Sequence, residues 1–97
     1  VYDGGDTLFF RDISPKARVH ILGILKRHVA SINDFEKGEE REIGKLMIDA
    51  VQVAKKEGLT EDGYRVITNC GRNAGQEVEH LHIHVLGGEK LGGLNKK

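Results

Sequence analysis

His80, His82 and His84 stand at every second position, alternating with apolar Leu81, Ile83 and Val85 and followed by Leu86 and Gly87-Gly88. A strand has a side-chain period of two, so this spacing sends the imidazoles to one face and the apolar residues to the other, a core face. Histidine is the side chain whose charge is most easily moved near neutral pH, and its neutral ring is also a nucleophile and a metal ligand. Three of the chain's five histidines on one strand face mark a chemical site.

Four chemistries compete for that row. The histidines could be solvated polar residues of a half-exposed sheet, but strict alternation beside a glycine turn and a further strand histidine, His20, argues against it. They could hold a metal: neighbours at i and i+2 stand about 6.7 Å apart at their roots and could share one Zn²⁺. The third would be about 13 Å from the first, and the chain has neither a cysteine pair nor an acidic residue between them on that face. A serine or cysteine nucleophile with a histidine base would need Ser14, Ser31 or Cys70, none of which sits in a nucleophile-elbow sequence. The fourth chemistry, histidine itself as nucleophile toward a phosphoryl group, has the best surroundings. Asn69 and the turn Gly71-Arg72-Asn73-Ala74-Gly75-Gln76 precede the strand. A glycine-rich turn lets backbone N–H groups converge on an anion, and Asn and Gln amides add neutral donors.

The elements that position these residues are legible in the punctuation. Thirteen glycines against one proline give the rhythm of strands joined by tight turns. Val1-Tyr2, the turn Asp3-Gly4-Gly5-Asp6 and residues 7–11 predict a hairpin, and residues 19–25 a second apolar strand carrying His20. Residues 38–57 predict a helix, with an apolar stripe through Ile43, Leu46, Met47, Ala50, Val51 and Ala54 and with Gly58 as its cap. Its acidic start and basic end suit the helix dipole. Residues 64–69 and 78–86 supply the last two strands. One long helix without regular βαβ alternation predicts the α+β class with an antiparallel sheet.

The whole chain narrows the field further. Its 97 residues make one domain, and 15 basic against 15 acidic side chains give a net charge of zero. That lacks the basic excess of nucleic-acid interfaces but leaves room for a single nucleotide. The lone cysteine, the absence of a long apolar run and the absence of a signal pattern predict a soluble cytoplasmic protein with no membrane partner.

The stretch from Gly75-Gln76 through His80, His82 and His84 to Gly87-Gly88 resembles the signature of the histidine triad (HIT) family, His-φ-His-φ-His-φ-φ with φ apolar. Its flanks, together with Phe10-Arg11-Asp12-Ile13-Ser14-Pro15, His20, Lys26-Arg27-His28-Val29 and Tyr64-Arg65-Val66-Ile67-Thr68-Asn69, are similar to the histidine triad nucleotide-binding branch in particular. The resemblance covers roughly residues 1–88. It implies a single HIT domain over residues 1–97, with 89–97 as a tail and without the segment that members usually carry before the first hairpin. It also implies a five-stranded antiparallel sheet with one long helix and short helical turns, in a homodimer whose sheets join.

The implied activity is hydrolysis of the P–N bond of purine nucleoside phosphoramidates through a nucleotidyl-histidine, with no cofactor and no metal. The alternative is a catalytically weak nucleotide-binding regulatory or interaction protein. By the resemblance His82 is the nucleophile, its proton placed by a backbone carbonyl of its own strand. His84 touches the phosphate, and His80 and His20 support the surrounding network. Asn69, Gly75, Gln76 and Glu77 line the phosphate, largely through backbone N–H, and Val78 joins them in the nucleotide-binding set. Asp12 takes the ribose hydroxyls, and Ile13, with Phe10 nearby, walls the base. His28 is read as structural, and Cys70 as an inert turn residue.

Overall fold

In the computed structural model the apolar alternation and its turn signals become five strands, one long helix and two short 3-10 turns, Ile32–Asp34 and Arg72–Ala74. Residues 1–93 are described; the end of the expected tail, residues 94–97, lies outside the described residues. β1 (Tyr2–Asp3) turns into β2 (Thr7–Arg11), and β3 (Val19–Leu25) follows. After α1 (Glu40–Lys56) come β4 (Tyr64–Ile67) and β5 (His82–Gly87). The strands pair antiparallel throughout, in the order β1-β2-β3-β5-β4. This is the α+β architecture expected from the sequence.

β5 is last in the chain yet lies between β3 and β4. The register sets Ile24 opposite His82, Leu22 opposite His84 and His20 opposite Leu86. Pleating then sorts the faces. Ile83 and Val85 join Phe9, Ile21 and Leu25 in the core beneath α1, while His82, His84 and Leu86 share the opposite face with His20, Leu22 and Ile24.

α1 buries Leu46, Ala50, Val53 and Ala54. The stripe is rotated from the expected one: Met47 lies on the exposed side and Val53 takes its place in the core. Asp49 is the reason. It is 5% exposed, and its Oδ2 accepts hydrogen bonds from Thr7 Oγ1 on β2 (2.6 Å) and from Lys45 Nζ (2.9 Å). Those bonds offset the cost of burying a carboxylate and pin the helix to the sheet. At the helix end Gly58 takes φ +74°, with its N–H on the Lys55 carbonyl and that of buried Leu59 on Ala54, a Schellman stop.

The strand expected over residues 78–86 begins only at His82, and the one expected over 64–69 ends at Ile67. β3 has ended by this point, so residues 80 and 81 find other partners: the Leu81 N–H bonds the Val29 carbonyl and the His80 ring bonds that of Leu25. His80 therefore keeps the alternation with Leu81 and Ile83 but stands beyond the strand.

Candidate active site

His82 leaves β5 with both its ring and its backbone committed. Its Nδ1 lies 2.8 Å from the His80 carbonyl oxygen, and its own carbonyl accepts from Thr68 Oγ1 at 2.9 Å. A carbonyl only accepts, so the ring proton sits on Nδ1 and the neutral ring's lone pair is on Nε2.

His84 and His20 form the second pair, joined across β5 and β3 with His20 Nε2 at 2.9 Å from His84 Nδ1. The Lys16 backbone N–H donates to His20 Nδ1 at 3.0 Å, which forces the neutral His20 proton onto Nε2. His20 then donates to His84 Nδ1, so neutral His84 carries its proton on Nε2. The outcome is two imidazoles of opposite polarity side by side, with ring centroids 5.1 Å apart. His82 offers a lone pair and His84 offers an N–H.

Burial pushes the His20 imidazole below its ordinary value; Asp12, with Oδ2 3.5 Å from Nε2, pulls it back, and the Lys16 charge works with burial. Burial likewise lowers His84, reinforced by the positive forms of His82 and His20. Both folded-state values lie below the ordinary histidine value of about 6.5. The stability these rings contribute is therefore fully present above that pH and is lost as pH falls through the lowered values. Thermal unfolding should show a midpoint that drops as pH falls below about 6.5. The drop should shrink in His20→Gln, which removes one of the two titrations; an equal drop in both proteins would refute the assignment.

Asp12, Lys16, His20, His82 and His84 line one cleft of about 500 Å³ together with Asn69, Gly75, Glu77 and Val78. Gln76 is placed differently. Its Oε1 accepts the Gly71 N–H (2.8 Å), while its Nε2 donates to the carbonyls of Ala30 (2.7 Å) and Val78 (3.0 Å), so its amide staples the turn. The amides of Ala74, Gly75 and Gln76 close that turn on the Gly71 and Arg72 carbonyls. Among the described residues, the N–H groups of Glu77 and Val78, next in line, make no protein hydrogen bond. Gly71 (φ +84°, ψ −179°) and Gly75 (φ +80°) hold backbone conformations that favour glycine, which is why the turn is spelled with them.

Asp12 starts the loop between β2 and β3, with Oδ1 accepting from the Ser14 N–H at 2.7 Å. Phe10, Leu22, Ile24, Val78, His80 and His82 line an adjoining apolar groove of about 280 Å³. Ile13, expected beside Phe10, is 99% exposed and outside both cavities. Sequence reading missed Leu22, Ile67, Leu86 and Lys16 as cleft residues. Period-two stepping from His20 would have found Leu22. Ile67 and Leu86 depend on the pairing of β4 with β5, and Lys16 on how its loop folds back.

Asp12, His20 and His84 also bring three donor atoms within 4.8 Å of one another, a spacing a metal ion could bridge. The bond behind His20 opposes that use. A metal-bound histidine turns a lone pair to the ion and its N–H to an outer acceptor. Here the Lys16 N–H occupies the outer position and holds the proton on the atom that would face the metal. The donor set does not suit a resident metal.

The HIT domain family model matches residues 1–91. The purine nucleoside phosphoramidase of Escherichia coli (strain K12) is 45% identical over 92 residues, covering 95% of this chain and 77% of that protein. Among solved structures, a histidine triad protein from Clostridium difficile has a TM-score of 0.93 at 39% identity, over 98% of this chain and 83% of that one. A HIT family hydrolase from Legionella pneumophila Philadelphia 1 has a TM-score of 0.91 at 41% identity, over 95% and 82%. A family model matching nearly the whole chain, a relative of this identity and solved structures of this likeness lead to one assignment: the chain belongs to the HIT family.

Proposed function

We propose that the protein hydrolyses the P–N bond of purine nucleoside phosphoramidates through a nucleotidyl-histidine at His82. The observation that carries this reading is the polarity of the two neighbouring rings. With its proton held at Nδ1 by the His80 carbonyl, His82 presents a nucleophilic Nε2, and His84 presents an N–H to a phosphoryl oxygen. His82 Nε2 attacks phosphorus, the P–N bond breaks, and the amine departs with a proton from water. Water then cleaves the phosphorus–histidine bond, releasing the nucleoside monophosphate and restoring the ring. A covalent intermediate divides one hard displacement into two easier ones. In this reading the free amides of Glu77 and Val78, with the Asn69 side chain, receive the phosphate oxygens. Asp12 accepts from the ribose hydroxyls, and the Phe10 groove takes the base. The 45% identity to a purine nucleoside phosphoramidase supports the substrate class.

The test is direct. Incubation with an adenosine phosphoramidate should release amine over many turnovers and yield, in quenched samples, protein heavier by one nucleotidyl group. Nucleotide binding without turnover would instead establish the weakly catalytic regulatory module.

The same reading includes a homodimer and a cytoplasmic setting. β4 is the longer of the two outer strands, and an unpaired edge of that kind is a template for pairing with a second copy. Among the described residues no helix is long and apolar enough to cross a membrane. Sedimentation should give twice the chain mass at micromolar concentration; a monomer mass independent of concentration would reject the dimer.

A further inference from the structure

The carbonyl that fixes the His82 proton belongs to His80, and His80 is itself held from outside the cleft. Its Nε2 lies 3.1 Å from the Leu25 carbonyl oxygen, which only accepts, so the ring proton is on Nε2 and the neutral ring's Nδ1 keeps a lone pair. Facing that lone pair at 3.3 Å is Nδ1 of His28, with the two rings edge to face at 5.2 Å between centroids. His28 must be the donor. The next residue, Leu81, gives its N–H to the Val29 carbonyl. The segment of residues 25–29 thus grips residues 80 and 81 at three points, one of which is the exposed His28 side chain.

We propose that His28 is a positioning residue for the nucleophile: its Nδ1–H orients the His80 ring, which holds the His80 carbonyl where it keeps the His82 proton on Nδ1. The inference rests on the reading of His82 as nucleophile. The physics is that of a tautomer choice. A histidine proton resides on Nδ1 rather than Nε2 only while an acceptor stays aligned with Nδ1. β5 has not yet begun at residue 80, so the sheet ladder does not align that carbonyl. The peptide that carries it is held instead by the Leu81 N–H bond to the Val29 carbonyl and, through the His80 ring, by the contacts with Leu25 and His28. A residue read from sequence as merely structural thereby acts on the chemistry through two intermediaries, and it touches neither substrate nor phosphate.

The experiment compares wild type with His28→Ala and His28→Asn. An Asn amide places an N–H close to where histidine Nδ1–H stands, so Asn should restore what Ala removes. For His28→Ala, kcat should fall about three- to tenfold, the range spanned by one net hydrogen bond. Nucleoside monophosphate affinity should stay unchanged, and His28→Asn should recover most of kcat. Nitrogen-15 NMR of labelled histidines supplies the readout that a structural role would not move. In wild type His82 should show a protonated Nδ1 and a bare Nε2; in His28→Ala the two shifts should move toward each other as the tautomers mix. Unchanged His82 shifts in His28→Ala, an unchanged kcat, or an asparagine variant as slow as the alanine one would each overturn the proposal. The shifts are read without substrate, so a wild type that never cleaves phosphoramidates would sink the functional reading while leaving this test intact.

Discussion

His82→Ala should lose phosphoramidate turnover by about 10⁴-fold or more, roughly 5 to 6 kcal/mol of transition-state stabilisation. Its affinity for nucleoside monophosphate should stay within about threefold of wild type. The two outcomes separate because the proposed roles separate. A nucleophile acts only when the phosphorus–nitrogen bond is forming, so its removal is felt in kcat. Ground-state binding in the proposed reading rests on the amides of Glu77 and Val78, on Asn69, on Asp12 and on the apolar groove. His84→Ala should be milder, about 10²- to 10³-fold, the scale of losing one donor to a developing charge, and should still form the covalent adduct. Mass spectrometry after a rapid quench distinguishes them, since only His82→Ala should lack the nucleotidyl protein. If His82→Ala keeps turnover, the nucleophile is elsewhere and the proposed chemistry is wrong.

Gly23→Ala should destabilise the fold by about 1–3 kcal/mol, the usual cost of overpacking, with a thermal midpoint lower by roughly 5–20 °C for a domain of this size. Gly23 lies directly opposite Phe9 in the β2–β3 register, and Phe9 is fully buried. A Cβ built on Gly23 falls on the edge of the Phe9 ring, nearer than real Cβ contacts come. The ring has little room to yield, because Tyr2 packs against it edge to face at 6.1 Å. Phe9→Ala alone should cost about 3–5 kcal/mol through the cavity it leaves. In Gly23→Ala combined with Phe9→Leu the cost should be less than additive, since the smaller side chain admits the methyl. Urea unfolding of wild type, Gly23→Ala, Phe9→Leu and their double variant makes the comparison. An unchanged midpoint in Gly23→Ala would mean that the ring does not fill that space. Leu22 and Ile24 flank this glycine on the site face, so a strained β3 should also weaken nucleotide binding.

Several features were legible from residue types because the physics behind them is local. Alternation placed Ile83 and Val85 inward and His82 and His84 outward, which depends only on the pleat. The 71–76 turn was readable because Gly71 and Gly75 adopt conformations that other residues avoid. The helix was readable from its 3.6-residue stripe and Gly58 stop, although its exact face was not. Apolar periodicity sees Met47 and Val53 as equals, and Asp49 decided between them through a bond to Thr7, 42 positions away in sequence.

The cleft belongs to the other class. His20 and His84 are separated by 64 positions and meet only because β5, last in the chain, pairs with β3. Gln76 reads from sequence as an anion donor, but its amide is consumed by the Gly71 N–H and by the carbonyls of Ala30 and Val78. His80 looks equivalent to its two neighbours in sequence and differs because β3 ends before it, which leaves its ring to Leu25 and His28. The sequence by itself determined that the protein carries a row of imidazoles, a glycine turn beside it and a sheet to hold both, since side-chain period and backbone freedom are properties of neighbouring residues. Only the tertiary structure decided which ring nitrogen carries each proton. His84 takes its proton placement from His20, 64 positions away on β3, while the His82 acceptor is the nearby His80 carbonyl, held by residues 25–29, and this is what separates His82 from His84.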